Sequence, residues 1–133
     1  MPTLGHRSSA TLRKCHHDLV RLAHACIPLM DFSVTDGFRG EEAQEAAYHA
    51  GLSKLRWPRS KHNQTPSLAV HFNPWPIDWH DLDRFYFLAG IVRAQADGLD
   101  IAIRWGGNWN QSLDPTAKDQ SFMDLAHFEL TSD

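Results

Sequence analysis

The chain has 133 residues, of which 42% are hydrophobic and 22% charged, an ordinary balance for one globular domain with one core. Its formal net charge of −3 argues against a nucleic-acid partner, because nucleic-acid-binding surfaces are usually basic. No apolar run reaches the roughly 18 residues of a membrane span, and Met1 to Ser9 lack the apolar stretch of a signal peptide. We therefore expect residues 1–133 to form a single domain, without a membrane segment, and to be monomeric.

The first predicted element is one helix from about Ser9 to Ile27. Its apolar residues recur at three- and four-residue steps, the spacing of a buried helical stripe: Leu12, Cys15, Leu19, Leu22 and Cys26. Ser8 or Ser9 is placed to cap the start. Along such a helix the two cysteines would lie about 16 Å apart, whereas a disulfide needs Cα atoms within about 7 Å. Both cysteines are therefore predicted to be reduced.

The middle of the chain predicts a strand, a short helix and a second strand. Phe32 to Phe38 alternates as a strand, and Gly40 to Gly51 is typical of a short helix ending at a glycine. Leu52 to Asn63 is basic and irregular. The second strand alternates with period two, which places on its core face Leu68, Val70 and Phe72.

The C-terminal half predicts a long helix followed by two more strands. Asp78 and Asp81 are placed as a capping pair for the helix, whose buried stripe comprises Leu82, Phe85, Ala89, Val92 and Ala96. Ile101 to Trp105 forms a strand, a loop runs from Asn108 to Ser121, and His127 to Leu130 forms the last strand. This order predicts an α+β fold, with helices packed on a small, mainly antiparallel sheet.

Three of the nine histidines stand apart from the rest. His71 and His127 each fall on the non-core face of a predicted strand, and His62 precedes the first of these strands by nine positions. The other six lie in the N-terminal tail or in helices, where surface or packing roles are the usual ones. Three convergent imidazoles suit Zn²⁺, which takes three protein ligands in catalytic sites and keeps a fourth position open. The pattern indicates a zinc site, although spacing alone does not establish it.

Other side chains could act beside such a metal. Asp124 lies three residues before His127, where a carboxylate could carry a proton from water to a leaving amine, or could simply cap a turn. Arg39 follows the first strand and could contact a substrate carbonyl or carboxylate, unless it is merely solvated. Trp75, Trp105 and Trp109 could line a groove, or belong to the core.

Several motifs resemble the zinc L-alanyl-D-glutamate endopeptidases of phage. These motifs are Ser60-Lys61-His62, Ala69-Val70-His71 and the run from Asp124 to Leu130, supported by Val34 to Arg39 and Arg104 to Gly107. This family belongs with the D-Ala-D-Ala carboxypeptidases and dipeptidases and shares the fold of the Hedgehog signalling domain. The resemblance covers roughly Ser33 to Leu130, and its first and last motifs together are quite specific.

The resemblance implies a role for each matching position. His62 and His127 would bind zinc, Asp124 would be the general base and acid, and Arg39 would hold substrate and stabilise the developing oxyanion. Ser60, Trp105 and Trp109 are predicted to contact the substrate, which would be bacterial peptidoglycan. As an endolysin, the protein would stay in the host cytoplasm until lysis and then act on the cell wall.

The chain departs from the family pattern at the middle zinc ligand. Where the family has an aspartate, this chain has His71, which can bind zinc but leaves the site one negative charge poorer. Our hypothesis is that zinc binds with reduced affinity and that activity is reduced or altered. A smaller departure places Asn108 and Asn110 where acidic residues are expected.

Two alternatives to the endopeptidase stay open at this point. The first is a D-Ala-D-Ala carboxypeptidase or dipeptidase, which uses the same residues on a different bond. The second is a peptidoglycan-binding or zinc-binding module without catalysis, which the histidine at position 71 would permit. The new termini released from peptidoglycan would separate these functions.

Overall fold

The computed structural model describes residues 1–112, 114–115, 120 and 122–131 of the chain. Part of the predicted Asn108 to Ser121 loop and the end of the predicted domain 1–133 lie outside these residues. The described elements are α1 (His6–Leu12), α2 (His17–Cys26), β1 (Phe32–Asp36), α3 (Glu41–His49), a 3₁₀ helix (Lys61–Asn63), β2 (Ala69–Pro74), α4 (Leu82–Gly98), β3 (Ile103–Trp105) and β4 (His127–Leu130).

The four strands form one sheet in the order β1-β2-β4-β3, and every neighbouring pair is antiparallel. A register shift interrupts the β1–β2 pairing between Val34 and Asp36. The predicted α+β class with a small antiparallel sheet is therefore confirmed. β1 ends at Asp36, before the predicted Phe38, and β3 begins at Ile103, after the predicted Ile101.

The two faces of the sheet differ in chemistry because side chains alternate along each strand. Val70, Phe72 and Phe128 lie in one buried cluster with apolar residues of α2 and α4. Each such fully buried side chain contributes roughly 1.5–3 kcal/mol relative to an exposed one. The opposite face carries His71 and His127, which are paired across β2 and β4. The core thus fixes the strands that present the histidines.

The predicted single N-terminal helix is wrong, because the chain breaks between α1 and α2. The His16 amide donates to the Ser67 carbonyl, and the Ser67 amide donates to the Lys14 carbonyl, both at 2.9 Å. His16 Nδ1 also accepts from the Asp18 amide at 3.0 Å and so caps α2. Because Ser67 is far from this segment in the sequence, local periodicity does not reveal these bonds. Ser8 is no cap either, since its hydroxyl accepts from the Val34 amide.

Two smaller expectations about burial and capping also need correction. Leu68, expected in the core, is only partly buried, and Leu82, expected in the α4 stripe, is 49% exposed. Asp81 occupies the N-cap position of α4 without a side-chain cap bond. The carboxylate of Asp78 instead accepts from the His80 amide, which closes a turn before the helix.

Among the described residues, no helix combines the length and apolar character that crossing a bilayer requires.

Both cysteines are free and buried, as predicted. Burial raises the pKa of the Cys15 thiol to about 11 and that of Cys26 to about 12. Because only the thiolate reacts readily, neither side chain has the character of a nucleophile. Cys15, between α1 and α2, and Cys26, the last residue of α2, therefore serve as small core residues.

Candidate active site

His62, His71 and His127 converge on the sheet face opposite the core. His71 and His127 are direct partners in the β2–β4 ladder, and His62 reaches them from the 3₁₀ helix. His62 Nε2 lies 3.2 Å from His127 Nδ1, and His71 Nε2 lies 3.3 Å from the same atom. One nitrogen from each of the three rings lies within 4.8 Å of the other two. The structure therefore brings together the three histidines singled out in the sequence.

Ser60 fixes the position of His62 through a capping box. Its hydroxyl accepts from the His62 amide at 3.2 Å, and its own amide donates to Asn63 Oδ1 at 3.0 Å. Ser60 is buried, so its observed contacts are with the 3₁₀ helix that carries the histidine. Its predicted contact with substrate stays a prediction.

The outer partners of two rings determine which nitrogens carry protons. His62 Nδ1 lies 2.6 Å from the Gly37 carbonyl, which can only accept, so Nδ1 bears the hydrogen. His127 Nε2 lies 2.8 Å from Glu129 Oε1, so Nε2 bears the hydrogen there. In the neutral rings, His62 Nε2 and His127 Nδ1 then face each other with lone pairs at 3.2 Å. A cation between them would remove this repulsion.

The donor set fits Zn²⁺ in both chemistry and spacing. Burial lowers the pKa of His62 and of His71 well below the ordinary range, and neighbouring imidazoles and Arg39 lower both further. These rings are therefore neutral near pH 7, as metal ligands must be. Nitrogens about 2.0–2.1 Å from a tetrahedral zinc lie about 3.3 Å apart. The nitrogen separations of 3.2 and 3.3 Å match that value.

Asp124 borders the histidine cluster without belonging to it. Its Oδ2 lies 3.5 Å from His71 Nε2 and 3.9 Å from His127 Nδ1. Burial raises the pKa of the Asp124 carboxyl above its usual range, while His127 and Arg39 act in the opposite direction. A raised pKa makes this carboxylate a better proton acceptor than a solvated aspartate.

Gly106 holds the Asp124 backbone against the end of β3. The Asp124 amide donates to the Gly106 carbonyl at 3.0 Å, and the Gly106 amide donates to the His127 carbonyl at 2.8 Å. A Cβ at position 106 would lie 2.1 Å from the Asp124 carbonyl oxygen. No side chain fits there unless the Asp124 segment moves.

We therefore expect Gly106→Ala to lower kcat about 100-fold, because a displacement of about 1 Å can cost that much. Rates on a stem peptide and the circular dichroism spectrum would be compared with those of Gly90→Ala. Gly90 lies on α4 with open space around its Cβ position, so the same substitution there should be harmless. Equal activity of the two variants would show that Asp124 tolerates the shift.

Glu129 orients His127, a role that the sequence analysis missed. Its Oε1 accepts from His127 Nε2 at 2.8 Å, while its Oε2 accepts from Arg104 Nη2 at 2.7 Å. Burial of Glu129 opposes its ionisation, but the hydrogen bonds of His127 and Arg104 overcome this effect and lower its pKa to about 2. A carboxylate behind a ligating histidine fixes the ring and raises its basicity. The sequence did contain a signal for this role: Glu129 follows His127 by two residues on one strand, so both side chains point to the same face.

Arg39 is buried beside the cluster and held by neighbours that the sequence did not reveal. Its Nε and Nη2 lie 2.7 and 2.6 Å from Asp36 Oδ2, and its Nη1 donates to Gln44 Oε1 at 3.3 Å. Gln44 is fully buried and also accepts from Asn63 Nδ2. The Arg39 amide donates to the His62 carbonyl at 2.8 Å. Described residues thus engage three of the five guanidinium N–H groups, which leaves two for a ligand.

The two tryptophans predicted to bind substrate lie in different places. Trp109 is next to His127, with ring centroids 5.0 Å apart, and its indole N–H donates to the Phe122 carbonyl. Trp105 instead packs against the core, contacts Tyr86 edge-on and donates to the Leu125 carbonyl. The structure therefore brings Trp109, but not Trp105, into contact with a cluster histidine.

Asn108 folds the loop after Gly107 rather than facing the cluster. It is buried, and its side chain exchanges hydrogen bonds with the backbone of Ser112. A carboxylate could accept from the Ser112 amide but could not donate to the Ser112 carbonyl. Asn108, which departs from the family pattern, thus has a local structural role.

Comparison with known proteins agrees with this geometry. A family model described as phage L-alanyl-D-glutamate peptidase matches residues 2–131. The L-alanyl-D-glutamate peptidase of Escherichia phage T5 is 31% identical over 117 residues, which cover 83% of this chain and 83% of that protein. The crystal structure of Serratia marcescens L-Ala D-Glu endopeptidase ChiX matches with a TM-score of 0.73 and 33% identity, over 95% of this chain and 87% of that one. The resemblance found in the sequence is confirmed, and the chain belongs to the phage L-alanyl-D-glutamate peptidase family.

Proposed function

We propose that the chain is a zinc-dependent endopeptidase that cleaves the L-alanyl–D-glutamate bond in peptidoglycan stems. Membership of the peptidase family supports the choice of bond. The observation that carries the metal dependence is the convergence of three histidine nitrogens within 4.8 Å, beside a partly buried carboxylate. His62, His71 and His127 would hold the metal.

Zinc would contribute the chemistry that the side chains lack. When bound, Zn²⁺ acts as a Lewis acid that polarises a carbonyl and makes a water molecule more acidic. The three neutral imidazoles leave its charge uncompensated, in contrast to a site with an aspartate ligand. Compared with an aspartate at this position, His71 would thus make the water more acidic and the binding of the metal weaker.

Asp124 would move the proton during hydrolysis. Its carboxylate would accept a proton from the attacking water and give it to the nitrogen of the departing D-glutamate. The products are an alanine carboxylate and a glutamate amine. Its position 3.5 Å from His71 Nε2, with backbone fixed by Gly106, supports this role.

Arg39 would hold the substrate and stabilise negative charge on the carbonyl oxygen. Its guanidinium is anchored by Asp36 and Gln44, so little reorganisation is needed when charge develops. Its positive charge also lowers the pKa values of His62, His71 and Asp124.

The cell wall would be the site of action. As a member of the phage peptidase family, the protein would hydrolyse peptidoglycan during host lysis. The peptide stem and its attached glycan would then be its binding partners.

The proposal is tested by treating purified peptidoglycan with the protein, with and without a chelator, and identifying new termini by mass spectrometry. We expect new D-glutamate amino termini that disappear with the chelator and return with added zinc. Released D-alanine would indicate a carboxypeptidase instead. Binding to the wall without new termini would indicate a module that has lost catalysis.

The role of His71 is tested by His71→Asp. We expect the zinc affinity to rise about tenfold, and the acidic limb of the pH–rate profile to move to higher pH, because an anionic ligand offsets one positive charge. Zinc titration and kcat against pH would measure both effects. Unchanged zinc affinity and rate would show that His71 is not a ligand.

A further inference from the structure

An apolar groove of about 520 Å³ opens beside Asp124. This size lies within the range of about 300–1,000 Å³ that is usual for small-molecule sites. Its walls include Leu52, Trp79, Leu82, Phe85, Phe122 and Asp124, and we call it the Trp79 groove. We propose that the Trp79 groove binds the N-acetylmuramic acid sugar that bears the peptide stem, an inference that rests on the proposed function.

The exposed apolar side chains of the groove suit the face of a sugar ring. Trp79 is 62% exposed, Leu52 66% and Leu82 49%, although burying them would be favourable. Trp79 stacks on the buried Phe85, with centroids 5.7 Å apart and planes at 20°. The indole is thus held in place while much of its surface stays accessible. The C–H face of a pyranose packs on such a ring while its hydroxyls keep contact with water.

The groove is continuous with the catalytic centre. Asp124 lines it and also lies 3.5 Å from His71 Nε2. In peptidoglycan the alanine nitrogen is joined directly to the lactyl group of muramic acid. Only one amino-acid residue, about 3.6 Å of chain, therefore separates the cleaved bond from the sugar's lactyl arm. A site next to Asp124 is where that sugar has to lie if the stem enters from this side.

Charge determines which side of the bond fits the groove. Apart from Asp124, the side chains lining it are uncharged. Beyond the cleaved bond the stem carries the glutamate carboxylate and then a charged diamino acid. A carboxylate would be repelled by Asp124 and desolvated against the apolar walls. The neutral sugar avoids both costs, while Lys54 Nζ, 5.4 Å from the Phe122 centroid, can donate to the oxygens of either group.

The test compares two soluble substrates that differ only in the sugar. One is the stem tripeptide attached to the GlcNAc–MurNAc disaccharide, and the other is the same tripeptide with an acetylated alanine nitrogen. For Trp79→Ala we expect kcat/KM to fall about tenfold on the first substrate, mainly through KM, since one aromatic contact is lost. On the acetylated tripeptide the variant should stay within about twofold of the parent.

Phe87→Ala is the matched control, because Phe87 is a more exposed aromatic residue on α4 that does not line the groove. It should leave both substrates unaffected. Equal losses on both substrates with Trp79→Ala would overturn the proposal, since the groove would then hold peptide or support the fold. No loss on either substrate would overturn it as well.

Failure of the proposed function can be distinguished from failure of the sugar site. Cleavage of the acetylated tripeptide by the unaltered protein tests the reaction without any sugar. If neither substrate is cleaved, titration of the GlcNAc–MurNAc disaccharide with its lactyl carboxyl amidated, followed by NMR at the Trp79 indole N–H, still tests the groove. A shift of this N–H signal that persists in Phe87→Ala supports the sugar site, and no shift overturns it.

Discussion

Replacing Asp124 by asparagine is expected to lower kcat on a stem peptide by about 10²–10⁴-fold, the usual contribution of a general acid–base group. The amide keeps the shape of the side chain but cannot accept the proton from water. The nearest ring nitrogens, 3.5 and 3.9 Å away, belong to His71 and His127. Because zinc would be held by histidines, Asp124→Asn should keep its zinc and its circular dichroism spectrum.

Asp97→Asn provides the control for this loss. Its carboxylate is 68% exposed and pairs with Arg93 one turn away on α4, so its removal should change the rate by less than about twofold. Retained turnover in Asp124→Asn would place the proton-transfer group elsewhere. Loss of zinc together with activity would make Asp124 a ligand rather than a base.

Removing either His62 or His127 is expected to abolish measurable hydrolysis and to weaken zinc binding more than 100-fold. Changes to the outer partners of a metal ligand already cost about 10–100-fold in affinity, so loss of the ligand itself should exceed that. Both rings are buried and tied to fixed acceptors, His62 to Gly37 and His127 to Glu129.

Thermal unfolding with and without zinc gives a readout independent of activity. Zinc at about 1,000 times its Kd should stabilise the unaltered protein by about 4 kcal/mol. His62→Ala and His127→Ala should lose this increment while still unfolding cooperatively without metal. A full zinc-dependent increase in Tm in either variant would refute the three-histidine site.

A second group of possible ligands supplies the matched control. His16, His17 and Asp18 also place three ligand atoms within 4.8 Å of one another, but this group lies at the start of α2. His16 Nδ1 already accepts from the Asp18 amide, and His17 is 78% exposed. His17→Ala should therefore leave the zinc-dependent change in Tm intact. A loss in this variant instead would move the metal to the α2 group.

Local patterns in the sequence predicted the sheet, its core face and the face that carries His71 and His127, and they singled out His62 as a third candidate ligand. Alternation along β2 and β4 depends only on neighbouring residues, so Val70 and Phe128 predicted the core face, and His71 and His127 the opposite one. The motifs around these positions were also specific enough to identify the family. The roles of the individual site residues are still predictions that the variants above would test.

Contacts between groups that are far apart in the sequence became known only from the folded chain. The break between α1 and α2 follows from pairing with Ser67, which no helical period can signal. Likewise, the approach of His62 to His127 spans 65 residues and needs the folded sheet. Trp105 and Trp109 look equivalent along the chain, yet one packs into the core and the other lies against His127. Local patterns determine which face of a strand each side chain lies on. Loop packing and buried hydrogen bonds determine which residues cover that face, and these contacts form only between segments far apart in the sequence.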